Sequence, residues 1–223
     1  MIRVHGLHFF VGGARPGRMH EGVPPGGALV PELLAAANAA AGRAWDEPAV
    51  EHWGPLALTG AGTVGTPDGP LAVAGELTLR PRYRVGYVAL EAAGPPRAAE
   101  PFVADGPIRI VLGPDRVALA GRYHVGPVGN RVGVRLTGPP VAAPPRGASA
   151  PMVRGAIQAP PSGELIVLGP DHPTTGGYPV VAVVCTVDVG RLLARPPGAA
   201  VDFVAVSVAE ARRLRRTAPA PSR

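Results

Sequence analysis

Residues 165–187 read LIVLGPDHPTTGGYPVVAVVCTV, and the fold class turns on how this stretch is parsed. Two aliphatic, valine-rich runs, 165–168 and 180–187, have the length and composition of strands. Between them lie the eleven residues of 169–179, where a hairpin made only to reverse the chain needs about two to five. The excess is polar and rich in glycine. Gly176 and Gly177 permit positive φ and let a ligand or partner approach the backbone, and Thr174 and Thr175 offer hydroxyl donors and acceptors. These features point to a binding loop; a surface loop held by its own side chains is the alternative.

The same punctuation runs through the whole chain. Its 223 residues include 31 glycines and 29 prolines, which cut the sequence into short Val, Ala and Leu runs, the pattern of an all-β protein. A residue content that is 46% apolar and arranged in periodic runs argues for a folded chain rather than a disordered one. Strands are expected at 2–11, 49–53, 56–59, 71–73, 76–79 and 83–90, and again at 108–112, 116–120, 131–136, 165–168, 180–187 and 200–206. One internal helix stands out near 31–42, with Pro31 in its first turn, Leu33, Leu34, Ala37 and Ala41 on one face and Gly42 as its stop. Residues 92–105 lack periodicity and read as a connector. The expected organisation is an N-terminal β lobe over 1–104, a C-terminal β lobe over 105–210, and a basic helix end with a disordered tail over 211–223. The fold class is mainly β, with one or two short helices.

All 22 basic residues are arginine, and the net charge is +6. Without lysine there is no Schiff base, no covalently carried biotin and no P-loop lysine on this chain. Ser207 and Glu210 form a capping box, and Arg212, Arg213, Arg215 and Arg216 follow it. Arginines in a last helical turn suit the helix dipole, so they are read as a solvated helix end and no nucleic-acid partner is expected. Cys185 is the sole cysteine; it reads as a small buried hydrophobe and excludes an internal disulfide. Neither a secretory signal nor a membrane-length apolar run is visible, which points to the cytoplasm and to no membrane partner.

Dinucleotide, Walker, nucleophile-elbow and paired-cysteine motifs are absent. His5 and His8 fall on opposite faces of one strand, so no metal site is expected. Arg131, Gly133 and Arg135 would share a strand face on which an anion could approach the glycine. Gln158, just before Pro160 and Pro161, either lines a pocket or ends a strand.

Several of these segments together resemble the biotin-dependent carboxyltransferase family that includes allophanate hydrolase subunit 2, the KipI antagonist KipA and the 5-oxoprolinase C-subunit. The resemblance is carried by Met152 and Val153, Gly155 to Gln158, Pro160, Pro161, Gly163, Ile166, Asp171 and the run Thr174 to Pro179. It extends to Arg15 to Gly17, Gly22 to Pro25, Gly27, Ala28, Ala37, Asn38 and Glu51, and to Asn130, Arg131, Gly133 and Arg135. It implies two cyclophilin-like β-barrel lobes and a partner related to the 5-oxoprolinase B-subunit or KipI. By carry-over, Arg131, Gln158, Thr174, Thr175, Gly176, Gly177 and Tyr178 would bind a small-molecule substrate, with Asn38, Glu51, Asn130 and Asp171 as a second wall.

The chain departs from the family pattern at several polar positions. Phe10, Val11 and Gly12 replace a polar stretch, Pro173 replaces a glutamine, and Asn130 and Val30 replace aspartates. A glycine-serine-rich stretch that should follow Leu90 is missing. Loss of carboxylates removes candidate acids and bases. The leading expectation is a counterpart of the C-subunit of an ATP-dependent 5-oxoprolinase, opening 5-oxoproline to glutamate with ATP shared with the partner. The alternatives are a KipA-like binding or regulatory protein without catalysis, and a component of a biotin-dependent carboxyltransferase.

Overall fold

The computed structural model describes residues 1–99, 101–142, 145 and 147–217. Two compact units divide the chain. Among the described residues, one comprises Met1–Ala14 and Gly27–Val103; the other comprises Arg15–Gly26 and the residues from Ala104 to Thr217. Arg15–Gly26, expected in the N-terminal lobe, therefore groups with the second unit. It folds back on itself through the Arg15 amide on the Pro25 carbonyl at 2.7 Å, and the Gly26 amide bonds the Pro170 carbonyl at 3.0 Å.

In the first unit, the strand expected over 2–11 splits into β1 (Arg3–His5) and β2 (His8–Val11). Gly6 has φ +125°, a conformation that breaks the extended run and sends the halves into different sheets. The helix α1 (Pro31–Ala40) is where the proline and leucine pattern placed it, with Leu33, Leu34, Ala36 and Ala37 buried. Next come β3 (Ala49–His52), β4 (Leu56–Thr66), β5 (Gly69–Leu79) and β6 (Gly86–Val88). β4 and β5 form one antiparallel ribbon running from Leu56↔Leu79 to Thr66↔Gly69. It replaces the three short strands expected there, because glycines at 60, 62, 65 and 75 hide its alternation without ending it. The sheets are β1-β4-β5 and β2-β3-β6, and an antiparallel bridge between Gly65 of β4 and Ala89, just after β6, joins them. Val50, Leu56, Leu58, Val64, Val73 and Val88 make its core.

The second unit contains β7 (Ile108–Leu112), β8 (Arg122–Gly129), β9 (Gly133–Thr137), β10 (Ala150–Pro151), β11 (Ala156–Gln158), β12 (Leu165–Leu168), β13 (Thr175–Gly176) and β14 (Val180–Val184). They are followed by the helix α2 (Thr186–Leu193), β15 (Ala200–Ala205) and the helix α3 (Val208–Thr217). Strands β11-β12-β9-β8-β15-β7-β14 close into a barrel, with β15 and β7 as its parallel pair. Alternate residues such as Tyr123 and Val125, Val134 and Leu136, and Leu165 and Val167 are buried, as strands with one face on a core require. No strand forms over 116–120, where Arg116 takes positive φ in a turn.

The apolar run 180–187 is not one strand. It stops at Val184, and Cys185 leads into α2, making three α-helices among the described residues where one or two were expected. Val187 and Val189 disguise the helix, since β-branched residues favour strands, whereas Asp188, Val189, Leu192 and Leu193 bury one helical face. The Glu210 amide donates to Ser207 Oγ at 3.1 Å, as the capping box requires. Residues 218–223 of the expected tail lie outside the described residues. No helix among the described residues is long and apolar enough to cross a membrane.

Candidate functional site

The ladder between β9 and β12 positions the first half of the loop. Beyond the pair Leu168↔Gly133 the two chain segments keep bonding: the Gly169 amide donates to the Val132 carbonyl at 2.8 Å and the Asp171 amide to the Arg131 carbonyl at 3.0 Å. A side chain at 169 would put Cβ 2.4 Å from the Arg131 carbonyl oxygen, so only glycine allows this approach. Arg131 and Asp171 are thereby set opposite each other. Arg131 Nε lies 2.7 Å from Asp171 Oδ2 and Nη2 lies 3.1 Å from Oδ1, a bidentate pair. The carboxylate that Arg131 faces is thus its own chain's Asp171. Arg15 borders the same backbone: an ideal Cβ at Gly26 would sit 3.3 Å from Arg15 Nη2 and 3.9 Å from Asp171 Oδ1. The Arg15 side chain is exposed and makes no hydrogen bond or ion pair among the described residues.

The second half of the loop is stitched to residues 150–158. β13 pairs with β10 through Pro151↔Thr175, and the Met152 amide donates to the Thr174 carbonyl at 3.0 Å. Gln158 ends β11 at a register shift against β14, is buried, and donates from Nε2 to Met152 Sδ at 3.4 Å. The backbone of Gly176 passes directly over this amide; a Cβ there would lie 3.0 Å from Gln158 Nε2 and 3.3 Å from Met152 Cγ. Gln158, Thr174, Thr175 and Gly176 are therefore brought together, with Thr174 and Gly177 half-buried and Thr175 and Tyr178 exposed. Gly176→Ala is expected to push the Gln158 amide aside with less than about 1 kcal/mol of lost stability, because a flexible side chain yields cheaply. A changed Gln158 side-chain amide resonance at an almost unchanged urea midpoint is the expected result.

The remaining candidates have structural partners. Asn130 is exposed, and its Oδ1 accepts from the Val132 and Gly133 amides at 2.9 and 3.3 Å, capping its own turn. In the first unit Asn38 is fully buried and donates to the Trp45 and Glu47 carbonyls at 3.2 and 2.8 Å. Glu51, also fully buried, accepts from the Leu29 amide at 2.8 Å, Tyr87 Oη at 2.6 Å and Trp53 Nε1 at 3.3 Å. Arg135 is engaged by Glu164 at 2.8 Å.

Two residues of the second unit were not among the expected site residues. His172 is fully buried; its Nδ1 donates to the Pro173 carbonyl at 2.8 Å, and Nε2 is a buried acceptor with no partner among the described residues. Met152 packs beneath Gly176 and Gln158. A histidine beside Asp171 and a methionine ahead of the Gly-Ala-Ile-Gln segment were the available signals. Cys185 supplies no nucleophile: it is buried, and desolvation pushes its thiol pKa up. The described residues contain no cluster of three or more metal-ligating side chains. The loop thus presents neutral hydrogen-bonding groups and a braced ion pair, beside an exposed Arg15 guanidinium that no described residue engages.

The family model for the carboxyltransferase domain, subdomain A and B, matches residues 60–205. The chain belongs to this family. Among curated proteins, this carboxyltransferase-family chain is 48% identical over 62 residues to the 5-oxoprolinase C-subunit of Haemophilus influenzae, a match covering 28% of the chain and 20% of that protein. It is 38% identical over 65 residues to the 5-oxoprolinase C-subunit of Escherichia coli, covering 29% of the chain and 21% of that protein. These matches therefore span about a fifth of the relatives' length. The crystal structure of TTHA0988 superimposes with TM-score 0.70 at 24% identity, covering 89% of this chain and 53% of the other. The Kluyveromyces lactis urea carboxylase does so with TM-score 0.72 at 18% identity, covering 95% of this chain and 28% of the other. Both structures share the fold of this family member.

Proposed function

We propose that the chain is a counterpart of the C-subunit of an ATP-dependent 5-oxoprolinase, working in the cytoplasm with a partner resembling the 5-oxoprolinase B-subunit or KipI. The observation that carries the reading is the polar loop 169–179, joined to Gln158 on one limb and Arg131 on the other, in a chain akin to the 5-oxoprolinase C-subunit. In this reading the Gln158 amide and the Thr174 and Thr175 hydroxyls hold the lactam of 5-oxoproline. Arg131, braced by Asp171, and the exposed Arg15 supply positive charge for its carboxylate. Gly176, Gly177 and Tyr178 let the substrate approach the loop backbone closely. ATP is shared with the partner, and its phosphoryl chemistry would rest on positioning and electrostatic stabilisation rather than on a covalent enzyme intermediate.

The test is co-expression with a 5-oxoprolinase B-subunit homologue, followed by ADP release with and without 5-oxoproline. A stable complex whose ATP turnover depends on 5-oxoproline supports the proposal, and failure to associate overturns it. In that complex, replacing both Thr174 and Thr175 with alanine is expected to lower the 5-oxoproline-dependent rate by about tenfold or more, the effect of losing hydrogen bonds to a bound substrate. An unchanged rate would remove the loop from the site.

A second reading has its own support. Asp171 is held by Arg131 and Glu164 by Arg135, so the carboxylates nearest this loop are committed to arginines rather than free to act as a base. That fits a KipA-like regulatory protein, for which the complex would form without 5-oxoproline-stimulated turnover. A carboxyltransferase role would need a biotin carrier on another chain, since this one has no lysine.

A further inference from the structure

The first unit contains a cavity of about 310 Å³ that none of the functional readings above uses. Its walls come from α1, the β4–β5 turn and the segment leading into β6, and include Leu33, Tyr87, Tyr83, Arg80, Arg82 and His52. The volume lies at the lower end of the roughly 300–1,000 Å³ range of small-molecule sites.

His52 gives this cavity a specific polar group. It is the last residue of β3, opposite Gly86 of β6, and its imidazole fills the place of a side chain at 86: a Cβ there would fall 2.2 Å from His52 Nε2. Both residues line the cavity. His52 is 2% exposed, and its Nδ1 lies 2.8 Å from the Gly54 carbonyl. A carbonyl only accepts, so Nδ1 carries the proton and Nε2 presents a lone pair with no partner among the described residues. Burial disfavours the charged ring and lowers its pKa, which keeps Nε2 an acceptor at neutral pH.

The rim has the opposite character. Arg80 and Arg82 are exposed, Arg80 has no ion pair among the described residues, and Arg82 meets Asp68 only at 3.9 Å, with both side chains largely in solvent. Tyr83 is held edge-on to Phe102, and its hydroxyl donates to the Phe102 carbonyl at 3.0 Å, so its ring is a fixed apolar wall. The lining thus combines apolar walls with a buried imidazole acceptor, the Thr66 and Asp68 side chains and two exposed arginines, Arg80 having no ion pair among the described residues, which favours a ligand carrying both a hydrogen-bond donor and a negative charge.

We propose that this cavity binds a small organic carboxylate with an apolar body, whose hydroxyl or N–H donates to His52 Nε2 and whose carboxylate meets Arg80 and Arg82. This site is independent of the 5-oxoprolinase reading. The test uses 4-hydroxybenzoate as probe, with titration calorimetry on the full chain. Saturable binding is expected, weakened about tenfold for benzoate, which lacks the donor, and about tenfold for 4-hydroxybenzyl alcohol, which lacks the charge. His52→Phe should abolish the preference for 4-hydroxybenzoate over benzoate, and the double variant Arg80→Ala, Arg82→Ala, altered only at exposed positions, should abolish the preference over the alcohol. Absence of saturable binding of 4-hydroxybenzoate, or retention of both preferences in the folded variants, overturns the proposal. Should His52→Phe fail to fold, the arginine double variant and the ligand pair decide alone.

Discussion

Replacing Asp188 with alanine is expected to destabilise the barrel unit by about 3–5 kcal/mol, the cost of removing one partner from a buried ion cluster. Asp188 lies on α2 with no solvent exposure. Its Oδ2 accepts from the Arg109 amide at 2.9 Å and from Arg109 Nε at 2.7 Å, while Oδ1 accepts from Arg109 Nη2 at 2.7 Å and Arg191 Nη1 at 2.6 Å. One carboxylate therefore ties α2 to β7 and accepts hydrogen bonds from two guanidiniums, balancing one of their two positive charges. Alanine would leave those charges partly buried and an amide unpaired. Cys185 adjoins α2 and is the only thiol, so its reaction with a disulfide reagent across a urea series reports the unfolding of this unit. A midpoint unchanged by Asp188→Ala would show that the cluster contributes nothing.

The same residue predicts a pH dependence. Burial opposes ionisation of Asp188, but hydrogen bonds from the Arg109 side chain and amide and from Arg191 outweigh it, lowering its pKa below the ordinary 3.8. A depressed folded-state pKa means that the stabilisation is fully present above 3.8 and is lost as pH falls through the lower folded value. Acid unfolding followed by circular dichroism from about pH 5 to pH 2 should lose this step in Asp188→Asn.

Glu51→Ala is the second large effect, expected at about 3 kcal/mol or more and confined to the first unit. The carboxylate holds the segment that enters α1 through the Leu29 amide and binds Tyr87, whose oxygen in turn accepts from the Val30 amide at 2.9 Å. Truncation strands these donors in a buried site. Glu51→Gln keeps an acceptor oxygen and should cost only about 1–2 kcal/mol. Both tryptophans, Trp45 and Trp53, lie in this unit, so their fluorescence follows its unfolding. Equal losses for alanine and glutamine would contradict a role in accepting these bonds.

The candidate site was partly legible in the sequence. The length and glycine content of 169–179 marked a loop with more than a turn to make, and Gln158 and the threonines stood out as polar residues beside apolar runs. What could not be read was pairing across distance. The partnership of Arg131 with Asp171 arises only because β9 and β12 are neighbours in the barrel and their ladder runs on past Leu168. Glu51 stood out only through the family resemblance, and that it is buried against three hydrogen-bond donors could not be read from its neighbours in the chain.

Sequence alone determined the properties that depend on residue type and short-range pattern. These are a mainly β chain, one helix begun by Pro31, a capped terminal helix, a sole cysteine and the absence of any lysine to carry biotin. Only the tertiary structure decided that β-branched residues 187 and 189 belong to a helix, since the burial of Asp188 between two arginines outweighs a local preference of a few tenths of a kcal/mol. It also decided that 15–26 joins the second unit and that His52 faces a cavity. Local propensity is set by neighbours in the chain, whereas charge pairing and burial depend on neighbours in space, which a linear pattern does not record.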